Sequence, residues 1–445
     1  MSLPPSDILS YLIEHSLKAG ATEADVLLTE GVDTSVSVRL GKLESLERSD
    51  TRDLGLRLFI GKQQAVVSSS ATDRESLDTL IERAVNMARL SPPDEFCGLA
   101  DKAAVAKEFP ALDALDNDLL SPETLIARAK EAEDAALSIA QVSNSDGAST
   151  SSAHYSRYLM SSAGFSGYSK RSMNSVSVSV IAGTGTDMQT DYEAFSSVFC
   201  KDLPAPDVVG KSAADRAVRK LFPKKMPTER VPVVFDTRVS GELMDAFLSA
   251  ISGSSIARGT SFLKDYLGKQ VFNSSVSIIE DPFMNKGLRS RAFDDEGLLP
   301  YKKNLIDKGF LTTWLLDLRS ARQLSLKSTA NAKRSTSSIP VPSPSNVYME
   351  KGSVSKEALI KDIRKGFYVT ETMGMGINGI TGDYSQAASG FWIENGVITF
   401  PVNEMTIAGN LKDMFLSLVP SDDLVFRYGI DTPTICVPQM TVAGI

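Results

Sequence analysis

The residues best suited to bond-making chemistry are few in this chain, and their spacing keeps them apart. There are two histidines, His15 and His154, so neither an HExxH helix nor a Cys/His zinc pattern can be assembled locally. The three cysteines, Cys97, Cys200 and Cys436, lie more than a hundred residues from one another, which leaves no CxxC pair and no disulfide framework. The acidic groups Glu280-Asp281 and Asp294-Asp295-Glu296 offer oxygen donors to a hard cation, but without the alternating ligands of a calcium loop; turn and capping roles are expected of them. No GxSxG elbow occurs, and GKS at 210–212 fails as a phosphate loop because Ala205 stands where its first glycine belongs. Chemistry from this chain alone would have to use carboxylate or Ser/Lys groups, with Asp383, Ser385, Glu394 and Glu404 as the candidates.

One stretch spells a nucleotide motif: MGMGINGITGDYSQAASGFWIENG, with GxGxxG at Gly374, Gly376 and Gly379. A dinucleotide cradle needs a helix directly after its glycines, because the helix N-terminus holds the pyrophosphate. Here a second glycine pair and an aromatic hairpin follow, so the glycines are read as turns. Glycine also leaves the backbone uncovered. An extended peptide or a partner chain could pair with such a segment, with Gly376, Gly379, Asp383, Tyr384, Phe391 and Trp392 as its contacts.

The elements that must position these residues divide into two groups. Ser6 is placed to cap a first helix ending near Gly20, and VSVRL at 36–40, LGLRLFIG at 54–61 and QAVVSS at 64–69 alternate as strands. Thr72 to Glu75 has the form of a capping box for a helix to Leu90, and Ser121-Pro122-Glu123 starts another that reaches about Ala140. Residues 141–200 alternate in a serine-rich pattern expected of a solvated sheet, and a helix near 208–222 precedes the proline-flanked PKKMP segment at 223–227. Beyond it lie a strand at 231–236 and a helix over about 238–252 that Gly253 is expected to end. Strands at 275–281 follow, then two hairpins turning at Asp307-Lys-Gly309 and Glu394-Asn-Gly396; 337–346 is expected to be an exposed proline-rich loop. The fold class is therefore α+β: an N-terminal domain over 1–225, sandwich-like with helices on a mostly antiparallel sheet, and a β-rich C-terminal domain over 226–445.

Composition sets the outer limits. With 445 residues, 42% apolar and 23% charged, the chain can bury a large core, and two or three domains are expected. A net charge of −8 repels phosphate backbones, so direct nucleic-acid binding is disfavoured. No run approaches the roughly 20 apolar residues that cross a bilayer. The first residues also lack an apolar signal core, since Asp7, Glu14, His15 and Lys18 interrupt it, so a cytoplasmic protein without a membrane partner is expected.

Several stretches carry a recognisable likeness: GLRLFIGK at 55–62, ISGSSIARGTSFLKDYLGKQVF at 251–272, FDDEG at 293–297, and GINGITGDYSQAASGFWIENGVITFPVNEMTIAGNLKDMF at 376–415. They resemble the TldD/PmbA family, and within it the PmbA (TldE) branch. The resemblance implies a cytoplasmic protease built from a TldD-type zinc peptidase and a PmbA-type partner, acting on peptides or unfolded segments. In the TldD-type chain the zinc lies on an HExxxH helix with a distant cysteine ligand. The corresponding helix here is MDAFLSAISG, which places Met244, Asp245 and Ser249 at the degenerate positions, while Cys436 falls in a strand-like run. No metal or other cofactor is therefore expected in this chain, and zinc is expected in its partner. The name DNA gyrase modulator, also attached to the family, is read as an indirect link. A homodimer is the other assembly that the sequence admits.

Overall fold

A computed structural model describes residues 4–374 and 376–444, so position 375 of the glycine-rich segment lies outside the described residues. The first half is built on a sheet of six strands in the order β3-β2-β1-β4-β5-β6, every neighbouring pair antiparallel. Its strands are β1 (Glu23–Arg39), β2 (Lys42–Ile60), β3 (Gln63–Ser69), β4 (Val142–Ser161), β5 (Ser166–Ala182) and β6 (Gln189–Ser197). Four helices cover one face: α1 (Pro5–Lys18), α2 (Arg74–Leu90), α3 (Pro122–Leu137) and α4 (Pro206–Arg219).

Strand alternation explains the layers. Ala24, Val26 and Leu28 of β1, with Leu54, Leu56 and Leu58 of β2, are buried under α1 and α2. The intervening residues Asp25, Leu27, Arg57 and Phe59 face the other way, where Leu27 and Phe59 join Phe165, Phe293 and Ala330 in a core shared with the second half. The helix starts follow local chemistry. Ser121 caps α3 by accepting from the Thr124 amide, as its sequence requires. Two expected caps are corrected: Asp73, not Thr72, accepts the Ser76 amide at α2, and Ser6 lies inside α1, which starts on prolines.

The second half contains β7 (Glu229–Phe235), α5 (Gly241–Ala250), α6 (Gly253–Ala257), β8 (Ile278–Asp281), β9 (Lys303–Asp307), β10 (Phe310–Leu311) and α7 (Leu318–Gln323). These are followed by β11 (Ala332–Lys333), β12 (Val341–Pro342), β13 (Asn346–Met349), α8 (Lys356–Lys361), β14 (Lys365–Met373) and β15 (Asp383–Glu394). The chain finishes through β16 (Val397–Asn410), α9 (Leu411–Ser417), β17 (Val419–Pro420), β18 (Ile430–Asp431) and β19 (Ile435–Ala443). The order β16-β15-β14-β7-β19 closes on itself because β16 also pairs with β19, giving a barrel around Phe235, Phe247, Trp392 and Phe415. The architecture is α+β, with β-rich structure in the second half.

Gly253 begins α6 instead of ending α5, since a Cβ there would sit 2.5 Å from Ser320 Oγ and 2.9 Å from the Leu315 carbonyl. The proline-rich strap at 337–346 is not a free loop either. Its strand β12 pairs with β11, and just before it Thr336 lies so close to β2 that a Cβ on Gly55 would be 2.1 Å from the Thr336 oxygen.

The halves are joined by charge as well as by apolar contact. Asp25 of β1 accepts from Arg57 Nε at 3.0 Å, and Arg334 of the second half brings Nη2 to 2.7 Å from the other carboxylate oxygen, an ion pair off the hydrogen-bond direction. All three side chains are buried, with the Arg334 side chain at 0% exposure. The FDDEG segment completes this seam: Asp294 accepts the amides of Glu296, Leu298 and Ala332, Asp295 holds Arg157 and the Arg334 amide, and Glu296 accepts the Leu318 amide.

Removing one member of a buried ion set leaves the others without a counter-charge. Asp25→Asn is expected to lower the unfolding free energy by about 3–5 kcal/mol in urea denaturation. The double change Asp25→Asn with Arg334→Met should recover part of that loss. A pH effect follows from the same seam. Burial pushes Asp294 from 3.8 up to about 6, and burial together with the Asp294 charge pushes Glu296 well above its ordinary value. Both groups bind a proton more tightly folded than unfolded, so their contribution is fully present below about pH 4 and is lost as pH rises through the folded values. Glu296→Gln, which keeps an oxygen for the Leu318 amide, should flatten the fall in stability as pH rises from the ordinary carboxylate range through the raised folded value of Glu296.

Candidate functional site

Between α5 and the glycine-rich segment lies a cleft of about 520 Å³. Helical spacing puts Glu242, Asp245, Ala246 and Ser249 on the wall that α5 presents, one and two turns apart. Thr260 and Phe262 follow α6, and Gly374, Ile377, Gly379 and Gln386 come from the opposite side. The apolar face of the same helix, with Leu243, Phe247 and Met244, enters the barrel core.

The glycine loop is tightly tied. Ser385 donates its amide to the Gly376 carbonyl at 2.7 Å, Asn378 donates to Asp383 at 2.8 Å, and Phe262 donates to the Gly379 carbonyl at 2.9 Å. The loop leads straight into β15, so the strand-to-helix turn of a dinucleotide cradle is absent there. The Gly376 and Gly379 carbonyls are occupied by these bonds, and β15 pairs with β14 on one side and β16 on the other, so it presents no free strand edge.

The sequence-selected residues separate clearly. Asp245, Ser249 and Gly379 meet in the cleft, with Gly376 beside it in the loop. Met244 is core. Tyr384 and Trp392, each 1% exposed, and Phe391, at 6%, fill the barrel and its flank, so none offers an apolar contact to a peptide. Asp383 is exposed and held by Thr381 and Asn410, which keep its carboxyl below the usual range. Ser385 follows on the same strand face. Glu394 occupies the far hairpin end, eleven residues or about 35 Å from Asp383 along β15, and Glu404 pairs with Lys225 at 2.8 Å. Asp383, Ser385, Glu394 and Glu404 therefore do not converge on one reacting centre.

Glu242, Thr372 and Gln386 acquire a role that the sequence reading missed, and Tyr384, expected as an apolar contact, stands behind them instead. The Glu242 carboxyl accepts from Thr372 with one oxygen, while its other oxygen is buried with no hydrogen-bond partner among the described residues. Burial raises its pKa, the Thr372 bond opposes that, and the Asp245 charge adds to it. Asp245 opens to solvent at the cleft mouth, yet protein around its other sides pushes it up too, against the Arg289 guanidinium. The Tyr384 hydroxyl behind this pair has no hydrogen-bond partner among the described residues either, and burial with the Glu242 charge raises it. Gln386, with its amide nitrogen 3.2 Å from the Met373 and Gly374 carbonyls, pins the loop. The signal for Glu242 was present in the helical spacing 242, 245, 249.

This donor set does not fit zinc. The cleft offers two carboxyls of raised pKa, a serine and an amide, without imidazole or thiolate. Cys436 lies in β19 opposite Val234, and burial pushes its thiol up to about 11. What the cleft offers is hydrogen bonding. Carboxyls of raised pKa that keep unfilled positions can accept from or donate to the main chain of a bound peptide.

The fold is that of a metallopeptidase family. The chain matches the family models described as PmbA/TldA metallopeptidase domain 1 over residues 24–88, central domain over 116–221 and C-terminal domain over 228–444. It is 36% identical to the metalloprotease PmbA of Escherichia coli, with 96% of this chain and 93% of that protein covered. It is 35% identical to the PmbA homologue of Haemophilus influenzae, with 98% and 95% covered. A Bacteroides thetaiotaomicron crystal structure, described in connection with DNA gyrase modulation, superposes with a TM-score of 0.92 at 28% identity and 99% coverage of both chains. TldE from Thermococcus kodakarensis shares the fold at a TM-score of 0.88 and 21% identity, covering 98% and 100%. The chain belongs to the PmbA/TldD family. No helix among the described residues is long and apolar enough to cross a membrane.

The two loop glycines should respond differently to a side chain. A Cβ on Gly376 would lie 1.6 Å from the Ser385 carbonyl oxygen, whereas on Gly379 the nearest atom is 3.9 Å away. Gly376→Ala is expected to break the loop from β15 and expose its amides to hydrogen exchange. Gly379→Ala should leave exchange unchanged and alter stability by less than about 1 kcal/mol.

Proposed function

We propose that this chain is the zinc-free subunit of a cytoplasmic two-chain peptidase, pairing with a TldD-type zinc-bearing chain and supplying part of the surface that receives a peptide or unfolded segment. The carrying observation is the wall of α5: in a metallopeptidase fold, the helix beside the cleft presents Glu242, Asp245 and Ser249, without an imidazole. A zinc hydrolase needs about three protein ligands, a polarised water and a base. Freed from that requirement, this helix can keep its place in the barrel and contribute binding alone.

In this role Glu242 and Asp245 engage the peptide main chain, Ile377 supplies apolar contact, and the pinned loop holds the opposite wall at fixed width. Bond cleavage belongs to the partner. Co-expression with a TldD-type chain, separation of the two, and elemental analysis of each should find stoichiometric zinc in the partner only. Adding this chain back should raise chelator-sensitive peptide cleavage. Partner activity indifferent to this chain, or chelator-sensitive cleavage by this chain alone, would sink the proposal.

A further inference from the structure

A second and larger cavity, of about 800 Å³, opens where β4 and β5 meet the segment from Leu288 to Phe293. Its charge is opposite to that of the molecule. The chain carries −8 overall, yet six cations line this cavity, Arg157, Lys170, Arg171, Arg289, Arg291 and Lys333, against two acids, Glu30 and Asp295. Both acids are engaged, Asp295 with Arg157 at 2.8 Å and Glu30 with Arg52 at 3.1 Å.

The cations are less well supplied. Arg291 has a buried carboxylate within reach, Glu280 at 3.7 Å. Arg171 spends its hydrogen bonds on the Gly287 and Leu288 carbonyls, and its Nε is buried without a partner among the described residues. Neither Lys170 nor Lys333 has an ion pair or side-chain hydrogen bond among the described residues. Burial alone pulls Arg171 down from its ordinary pKa. Lys333 reaches solvent at the mouth, but the protein around it and the guanidiniums of Arg289, Arg291 and Arg157 pull it down as well. Like charges gathered around one concavity, with Lys170 and Lys333 open to solvent and Arg171 half-buried, repel one another unless an anion joins them.

We propose that this cavity binds the carboxylates of an acidic peptide segment, with Lys170, Arg171 and Lys333 as the anion-binding groups. The occupant is a peptide and not a bare anion because Phe109, Tyr155, Tyr168 and Phe293 line the same space, which is of the size that encloses an organic ligand. Arg289 lines this cavity and is also the cation whose charge reaches Asp245 in the α5 cleft, so the two sites are electrically adjacent. The assignment rests on the reading of this chain as a peptide-receiving subunit, and it adds a preference for acidic side chains or a free C-terminus.

The test uses the isolated full chain and fluorescence anisotropy. Its probes are a short labelled Glu/Ala peptide, its Gln/Ala counterpart and a phosphoserine/Ala peptide. The Glu peptide is expected to bind roughly tenfold more tightly than the Gln peptide at low salt, as charge-assisted bonds do. That margin should narrow as salt shortens the Debye length. Lys333→Gln should remove most of the margin without shifting the thermal unfolding midpoint; the exposed Lys170→Gln serves the same purpose if Lys333→Gln folds poorly. Equal affinity for the Glu and Gln peptides, a margin that survives these variants, or stronger binding of the phosphoserine peptide would overturn the carboxylate assignment. Because the partner is absent, such a result leaves the pairing proposal intact, and a failure to pair leaves the binding result standing.

Discussion

The Asp25 carboxylate, held between Arg57 and Arg334, is the constraint on which the rest of the molecule depends. It lies on the face of the first sheet opposite the helices, and Arg334 reaches it from the second half. Taking three charges out of water is expensive, and well-packed apolar side chains could fill the same space at no greater cost. What the charges add is direction. A guanidinium inserted against one particular carboxylate fixes the position of the second half on the sheet, and the FDDEG carboxylates then tie the neighbouring strands and turns to that position through backbone amides. The cationic cavity is bounded by the same junction, so its shape follows from this registration.

Much of the fold was legible in the sequence where side-chain chemistry acts locally. Ser121 with Pro122 marked a helix start, and Asn395 and Gly396, both at positive φ, made the tight hairpin that their order predicts. Strand lengths were less legible. β2 begins at Lys42, twelve residues before the alternating run at Leu54, because its first part is exposed and charged. That part is a strand through its ladder to β1, and a ladder leaves no hydrophobic pattern to read. The hairpin aromatics misled for the converse reason: Phe391 and Trp392 look like contact residues beside so many glycines, but β15 is buried on both sides at that end.

The candidate site was half visible. Alignment of the helix gave Asp245 and Ser249, and both line the cleft; it also gave Met244, which the helical period turns into the core. Glu242 could have been found by the same period. Thr372 and Gln386 could not, since they reach the site only through the pairing of β14 with β15 and the closure of the barrel. The stretches that carried the family likeness divide in the same way. Gly55 and FDDEG serve the junction between halves, where a Cβ or a lost carboxylate would disturb the docking, while Ile377 and Gly379 shape the cleft.

A metallopeptidase fold without imidazole in its cleft raises the question of what keeps two carboxyls of raised pKa on the cleft face of α5. Glu242 and Asp245 are neighbours on one helical face and each raises the proton affinity of its surroundings, an arrangement that weakens a purely structural site. No partner among the described residues fills the second Glu242 oxygen or the Tyr384 hydroxyl. The cation whose charge opposes the rise at Asp245 is Arg289, and Arg289 belongs to the wall of the cationic cavity. The acids on one side and the cations on the other are thus left incompletely satisfied by the chain itself. A peptide that presents main-chain groups to the first and carboxylates to the second would satisfy both, which gives a physical reason for the two clusters to stand side by side.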